Sequence, residues 1–222
     1  MSNRSPKEDG LRLRKSVSSW LLAPSGLNCL SLPNVPKGLS NPRPDVIGIS
    51  HSGGYLAGDS ELIAVQVRTS PSRFISTLGD AYACSVFAGR VYCAFYLGEA
   101  NFSEEQIEAA LHLRVGLIRV DSDFSCHRTL PAPSLQPIER FRLRLIDELG
   151  LATCQLCAIV FPSPLERENE GSLERENEGS LFWNEIWAEH FGRLRNESVY
   201  DRRALCPDCL RNLEKIAAER DG

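Results

Sequence analysis

Two apolar strands joined by a Gly-rich turn constrain this chain most. The first, residues 43–49, reads Arg43-Pro44-Asp45-Val46-Ile47-Gly48-Ile49, and the second, residues 61–68, reads Glu61-Leu62-Ile63-Ala64-Val65-Gln66-Val67-Arg68. The Gly- and Ser-containing residues 51–60 between them suit a hairpin that lays the two strands antiparallel. Downstream, Phe74, Ile75, Leu78, Ala81, Tyr82 and Val86 recur near helical spacing, which predicts an amphipathic helix over 72–88. Residues 90–97 are rich in β-branched and aromatic side chains and predict a strand. Ser103-Glu104-Glu105-Gln106 is a capping-box pattern opening a helix that runs to about residue 113. Residues 115–120 predict a short buried strand that ends at Asp121. The order strand, strand, helix, strand, helix, strand implies an α/β fold with a mixed central sheet flanked by helices.

The polar residues on the first two strands carry the chemistry. Side chains alternate along a strand, so Gln66 and Arg68 leave by one face while Val65 and Val67 leave by the other. The hairpin brings Asp45 beside that polar pair. A carboxylate and an amide oxygen are ligands for a hard divalent cation, and an arginine grips phosphate through two bonds. The same three residues also fit plain turn chemistry before a strand and a solvated strand face.

The layout resembles the metal-dependent PD-(D/E)xK nucleases, whose fold is restriction-endonuclease-like. In that family two carboxylates bind Mg2+ or Mn2+, and a Lys two residues after the second steadies the attacking water and the developing phosphate charge. Asp45 matches the first carboxylate, Gln66 stands where the second would be, and Arg68 stands where the Lys would be. Gln brings no charge to offset the cation, and Arg cannot act as a base near neutral pH. The family's first helix often carries a Leu-Gly-Gln-Ala-x-Tyr-like segment, and Leu78-Gly79-Asp80-Ala81-Tyr82 is similar to it with Asp80 in place of the Gln. The strands that follow also look like the family's, so the resemblance covers about residues 40–125. It implies catalytic positions at Asp45, Gln66 and Arg68 and DNA or RNA as partner. As supporting groups, Asp80 reads either as a further carboxylate near the site or as a solvated helix residue, and Arg73 either as a phosphate contact or as a solvent-facing helix residue. The altered positions favour holding phosphate over cutting it. Three functions stay open: a Mg2+- or Mn2+-dependent nuclease, a non-catalytic relative that binds nucleic acid or a partner protein, and a zinc-stabilised scaffold that binds no nucleic acid.

A second motif lies beyond the α/β segment. Cys154-Gln155-Leu156-Cys157 and Cys206-Pro207-Asp208-Cys209 are paired C-x2-C knuckles. Four thiolates at that spacing close a tetrahedral Zn2+ site, with no open position for catalysis, so the zinc is expected to be structural. His190 is an alternative ligand. Cys84 and Cys93 sit in apolar surroundings and are expected to pack as small hydrophobes, and Cys29 and Cys126 share no ligand spacing. Between the knuckles the eight residues 165–172 recur without change at 173–180. This acidic duplication reads as a surface insertion. It accounts for the whole formal charge of −4, so the rest of the chain is neutral overall. Residues 181–195 predict an aromatic-striped helix packed near the zinc, and 205–220 a closing helix.

At 222 residues the chain suits one substantial domain and one small metal-stapled module. The expected division is a disordered N-terminus over 1–10, a nuclease-like α/β domain over 11–135, and a linking helix with the zinc module over 136–222. Arg12, Arg14 and Lys15 form a small basic cluster, read either as a phosphate contact or as a solvated helix face. No apolar run approaches the roughly 20 residues a membrane span needs, and the broken apolar stretch 17–30 does not suit a signal peptide. The expectation is an intracellular, cytoplasmic protein without a membrane partner.

Overall fold

The computed structural model of the protein describes residues 6–32, 35, 42–53, 58–154, 156–162, 206, 208–209, 211–212 and 215. The chain divides into one unit made of Met1–His51 with Ser60–Leu145, and another made of Ser52–Asp59 with Ile146–Gly222. The expected aromatic helix over 181–195, with His190, and the acidic repeat over 165–180 lie outside the described residues. The predicted closing helix over 205–220 is described only in part, with helical backbone at 208–209, 211–212 and 215.

The first unit is an α/β structure built on a six-stranded mixed sheet. Its strands are β1 (Leu30–Leu32), β2 (Val46–Ser52), β3 (Asp59–Arg68), β4 (Arg90–Tyr96), β5 (Gly116–Val120) and β6 (Cys126–Leu130), neighbours in that order. β1 pairs antiparallel with β2, while β3–β4 and β4–β5 are parallel and β5–β6 is antiparallel. The connection between β2 and β3 is too short for a parallel crossover, so this pair is the antiparallel hairpin expected from sequence. The helices are α1 (Pro6–Leu22), α2 (Phe74–Ala83), α3 (Glu104–His112) and α4 (Glu139–Glu148). Among the described residues, no helix is long and apolar enough to cross a membrane.

Alternation along the strands sorts the core into two faces. Leu13, Val17 and Leu21 form the buried stripe of α1 at helical spacing, and they cluster with Ile63, Val65 and Val67 of β3, Tyr92 and Ala94 of β4, and Ile118 and Val120 of β5. The intervening residues serve the opposite face. There Phe95 of β4 stacks on Phe74 at 5.1 Å between centroids and meets Phe102 edge-on at 6.0 Å, which ties down the starts of α2 and α3. Gln66 and Arg68 belong to this second face. The sheet is thus covered by α1 on one side and by α2 and α3 on the other.

Three local differences from the sequence reading have physical causes. The helix predicted over 72–88 is regular only from Phe74 to Ala83, with 3-10 turns at Pro71–Arg73 and Cys84–Val86. The Ser70 side chain accepts the Ser72 N–H and tightens the entry, and the Cys84 N–H reaches back to Ala81 O and Tyr82 O at the exit. Helix α1 starts at Pro6, within the stretch 1–10 expected to be disordered, with Glu8 and Asp9 in its first turn, where the helix dipole favours negative charge. Strands β1 and β6 were not predicted: β1 has three residues, and the mostly exposed β6, Cys-His-Arg-Thr-Leu, is a polar edge with no apolar alternation to read. By contrast the capping box at Ser103 forms as its sequence requires, with Ser103 Oγ accepting from the Gln106 N–H and Gln106 Oε1 accepting from the Ser103 N–H.

The second unit contains a two-stranded antiparallel hairpin, β7 (Leu151–Thr153) and β8 (Val160–Pro162). The first cysteine knuckle occupies its turn. The Cys154 N–H bonds to Ile159 O and the Ala158 N–H to Cys154 O, with Ala158 in the left-handed region at φ 57°.

Candidate functional site

Asp45, Gln66 and Arg68 come together at one end of the β2–β3 hairpin. The Asp45 N–H bonds to Val65 O, which sets the carboxylate beside the last residues of β3. Asp45 Oδ2 then accepts from the Val67 N–H at 2.9 Å and from Arg68 Nη1 at 2.6 Å. The other oxygen, Oδ1, meets Arg14 Nη2 of α1 at 2.7 Å. Both carboxylate oxygens therefore face a guanidinium, and the side chain is only 14% exposed.

Gln66 is buried, and both ends of its amide are engaged. Nε2 donates to Arg43 O at 2.8 Å, and Oε1 accepts from Arg68 Nη2 at 3.1 Å. Arg68 is the hub: it binds Asp45, Gln66 and its neighbour Val67 O, and its Nη2 lies 3.7 Å from Asp80 Oδ2 on α2. Asp80 is thus the loose, exposed fourth member of the group. Two carboxylates and two guanidiniums balance, so the charge of the largely buried Asp45 is paired and hydrogen-bonded within the group. Arg73, expected as a supporting group, is exposed and forms no ion pair with a described residue; its backbone O accepts from Thr77 Oγ1.

Sequence reasoning placed Asp45, Gln66 and Arg68 together but missed Arg14 as the partner of Asp45. Arg14 follows Leu13 of the buried stripe, so it projects from the flank of α1 where that helix meets the sheet. Nothing in its local sequence points to Asp45, because the pairing depends on where α1 crosses the sheet.

The cysteines near this group are not activated. Burial pushes the Cys84 thiol up to about 12, against the lowering effect of a hydrogen bond with Gln66. Burial also raises Cys93, whose Sγ donates to Thr77 O, and takes Cys29 and Cys126 up to about 12. A thiol so shifted stays protonated at neutral pH and is a poor nucleophile.

In the second unit, Cys154, Cys157, Cys206 and Cys209 are all buried, and their four sulfur atoms lie within 4.8 Å of one another. None of them forms a disulfide. A tetrahedral Zn2+ with bonds of about 2.3 Å separates its sulfurs by about 3.8 Å. Cys157 Sγ and Cys206 Sγ stand 3.7 Å apart, which fits that edge. At Cys154, burial opposes the thiolate but backbone N–H groups of Cys206, Cys157 and Leu156 outweigh it, drawing the thiol down to about 7. Burial and the neighbouring sulfurs raise Cys206 and Cys209. The donor set, its spacing and its burial suit a metal ion such as zinc, whose charge would hold all four sulfurs as thiolates.

No family model matches the chain, and no curated protein matches it.

Proposed function

We propose that this chain is a restriction-endonuclease-like protein that binds nucleic acid without cutting it, and that a structural zinc organises its second unit. One observation carries the non-catalytic reading. Both oxygens of Asp45 are engaged by the guanidiniums of Arg14 and Arg68, and the Gln66 carbonyl oxygen is engaged by Arg68 as well. A divalent ion at Asp45 would have to displace two cations, and would gain only one buried carboxylate and one neutral amide in exchange. Metal-assisted hydrolysis needs a cation that keeps positions open for water and a phosphate oxygen. Here the place of that cation is taken by Arg14 and Arg68, whose guanidiniums cannot generate hydroxide.

The strand, helix and strand order after Asp45 supports the nuclease-like reading, as do Gln66 and Arg68 on one strand face with Asp80 within ion-pair range. The zinc reading rests on the four clustered sulfurs. Their coordination would be complete, so the ion would staple the β7–β8 hairpin to the second knuckle and take no part in chemistry.

The test uses the full chain with labelled single- and double-stranded DNA and RNA, with Mg2+ and separately with Mn2+. Binding without cleavage is the expected result. Cleavage that disappears in Asp45→Ala would overturn the non-catalytic reading, and absence of binding to all four substrates would overturn the nucleic-acid reading.

A further inference from the structure

A second polar surface of the first unit is unused by the Asp45 group. An open cleft of about 520 Å³ runs between the flank of α1 and the β5–β6 turn, lined by Arg12, Lys15, Ser16 and Trp20 from the helix and by Phe124 and Ser125 from the turn. Arg12, Ser16 and Trp20 recur every four residues beside the buried stripe Leu13, Val17 and Leu21, so one helix face supplies a cation, a hydroxyl and an indole in register. A concavity of that size is in the range of sites that take a small ligand or a single nucleotide unit.

The aromatic residues are held in place. Phe124 sits in the left-handed region at φ 69°, which is costly for an aromatic residue. The turn holds it there through Phe124 N–H to Asp121 O and Asp121 N–H to Ser125 O. Its ring rests 5.5 Å from Tyr96, and the Arg12 guanidinium lies 3.9 Å from the ring centroid. Trp20 is backed by the turn that ends α1. A Cβ on Gly26 would lie 1.8 Å from Trp20 O and 3.2 Å from its indole ring, so the chain folds directly against this residue.

The charge in the cleft is positive. Lys15 is exposed and forms no ion pair with a described residue. Among the described residues no carboxylate lines the cleft: Asp121 pairs with Arg119 and His127, and Asp123 accepts from the Ser125 N–H and Oγ within the turn, beside the lining residue Ser125. Cations beside preset aromatic faces are the two elements by which proteins hold single strands, because phosphates follow the charge and any unpaired base can stack.

We infer that this cleft seats single-stranded nucleic acid, with an unpaired base against Trp20 and a phosphate against Lys15 and Arg12, which the Phe124 ring holds in place. The inference rests on the nucleic-acid reading above and names the strand state and the residues. Single strands are favoured because a base stacked within a duplex cannot expose its face to the indole.

Fluorescence anisotropy with a labelled oligo-dT, and with the same sequence as a duplex, tests it on the full chain. Lys15→Glu, at an exposed position, is expected to weaken oligo-dT binding by at least tenfold. Arg12→Ala with Lys15→Ala is expected to do the same and to flatten the dependence on salt. Arg114→Ala, at an exposed cation that does not line the cleft, should change binding less than twofold, and circular dichroism should show every variant folded. If the wild-type chain binds oligo-dT and Lys15→Glu binds equally well, the cleft is excluded while the nucleic-acid reading stands. If the duplex binds tighter than oligo-dT and is the form weakened by Lys15→Glu, the single-strand inference fails. If the wild-type chain binds neither form, the single-strand inference fails, and the nucleic-acid reading fails with it when the RNA substrates above are also unbound.

Discussion

Replacing Asp45 with alanine separates a structural anchor from a vacant metal ligand, because the two roles predict opposite signs for stability. In a metal site, an unneutralised carboxylate is a burden to the metal-free fold, and its removal is neutral or stabilising. Here the carboxylate satisfies three donors. The Val67 N–H, 2.9 Å from Oδ2 on a buried strand residue, would lose its acceptor. An unsatisfied buried N–H costs about 1–3 kcal/mol. Arg68 would lose its partner at 2.6 Å; since it is 35% exposed, the loss is discounted for solvent to roughly 0.5–1 kcal/mol. Arg14 is 45% exposed, and its share is at most about 1 kcal/mol. Together these give a destabilisation of about 1.5–5 kcal/mol. Urea unfolding followed by circular dichroism, with zinc held constant, measures it. A double-mutant cycle with Arg68→Met should show coupling between the two side chains. A change below about 0.5 kcal/mol, or a gain in stability, would refute the argument that the charge of Asp45 is paired within the group.

Three further outcomes follow from the same geometry. Gln66→Glu with Arg68→Lys should leave Mg2+-dependent cleavage undetectable because Arg14 still occupies Asp45 Oδ1; adding Arg14→Ala is the change expected to admit metal, read by Mn2+ binding in calorimetry. Metal analysis of the purified chain should find one zinc, and Cys206→Ser should lose it, with unfolding of the 146–222 unit seen as faster proteolysis there; structural zinc sites contribute about 10–16 kcal/mol of apparent binding energy. Tyr92→Phe should raise stability by about 1 kcal/mol, since Tyr92 Oη is buried with no partner among the described residues. The ring itself must stay, because it fills the space at Gly116, where a Cβ would meet it at 2.4 Å.

Elements with strong local signals were legible in the sequence. The β2–β3 hairpin followed from apolar runs flanking a Gly-rich turn, and α3 from its capping box, because both depend on residues a few positions apart. The cysteine cluster was legible for a related reason: each C-x2-C pair sets two sulfurs on one tight turn. The short strand β1 and the polar edge β6 were not legible, since they are defined by a partner strand and carry no period of their own. The 3-10 ends of α2 were hidden because apolar spacing continues through them, and only Ser70 and the backbone bonds at Cys84 reveal the break.

The chain's chemical inventory was set by the sequence alone: one aspartate ahead of a strand, Gln and Arg on a single strand face, and four thiols in two knuckles. Tertiary structure decided what that inventory is arranged to do. It laid α1 across the sheet so that Arg14 reaches Asp45, turning what read as a depleted metal site into a closed ion-pair network. The same crossing placed Arg12, Lys15 and Trp20 opposite Phe124, far along the chain. Strand alternation is a local rule, but the angle at which a helix crosses a sheet depends on side chains packed from many segments at once.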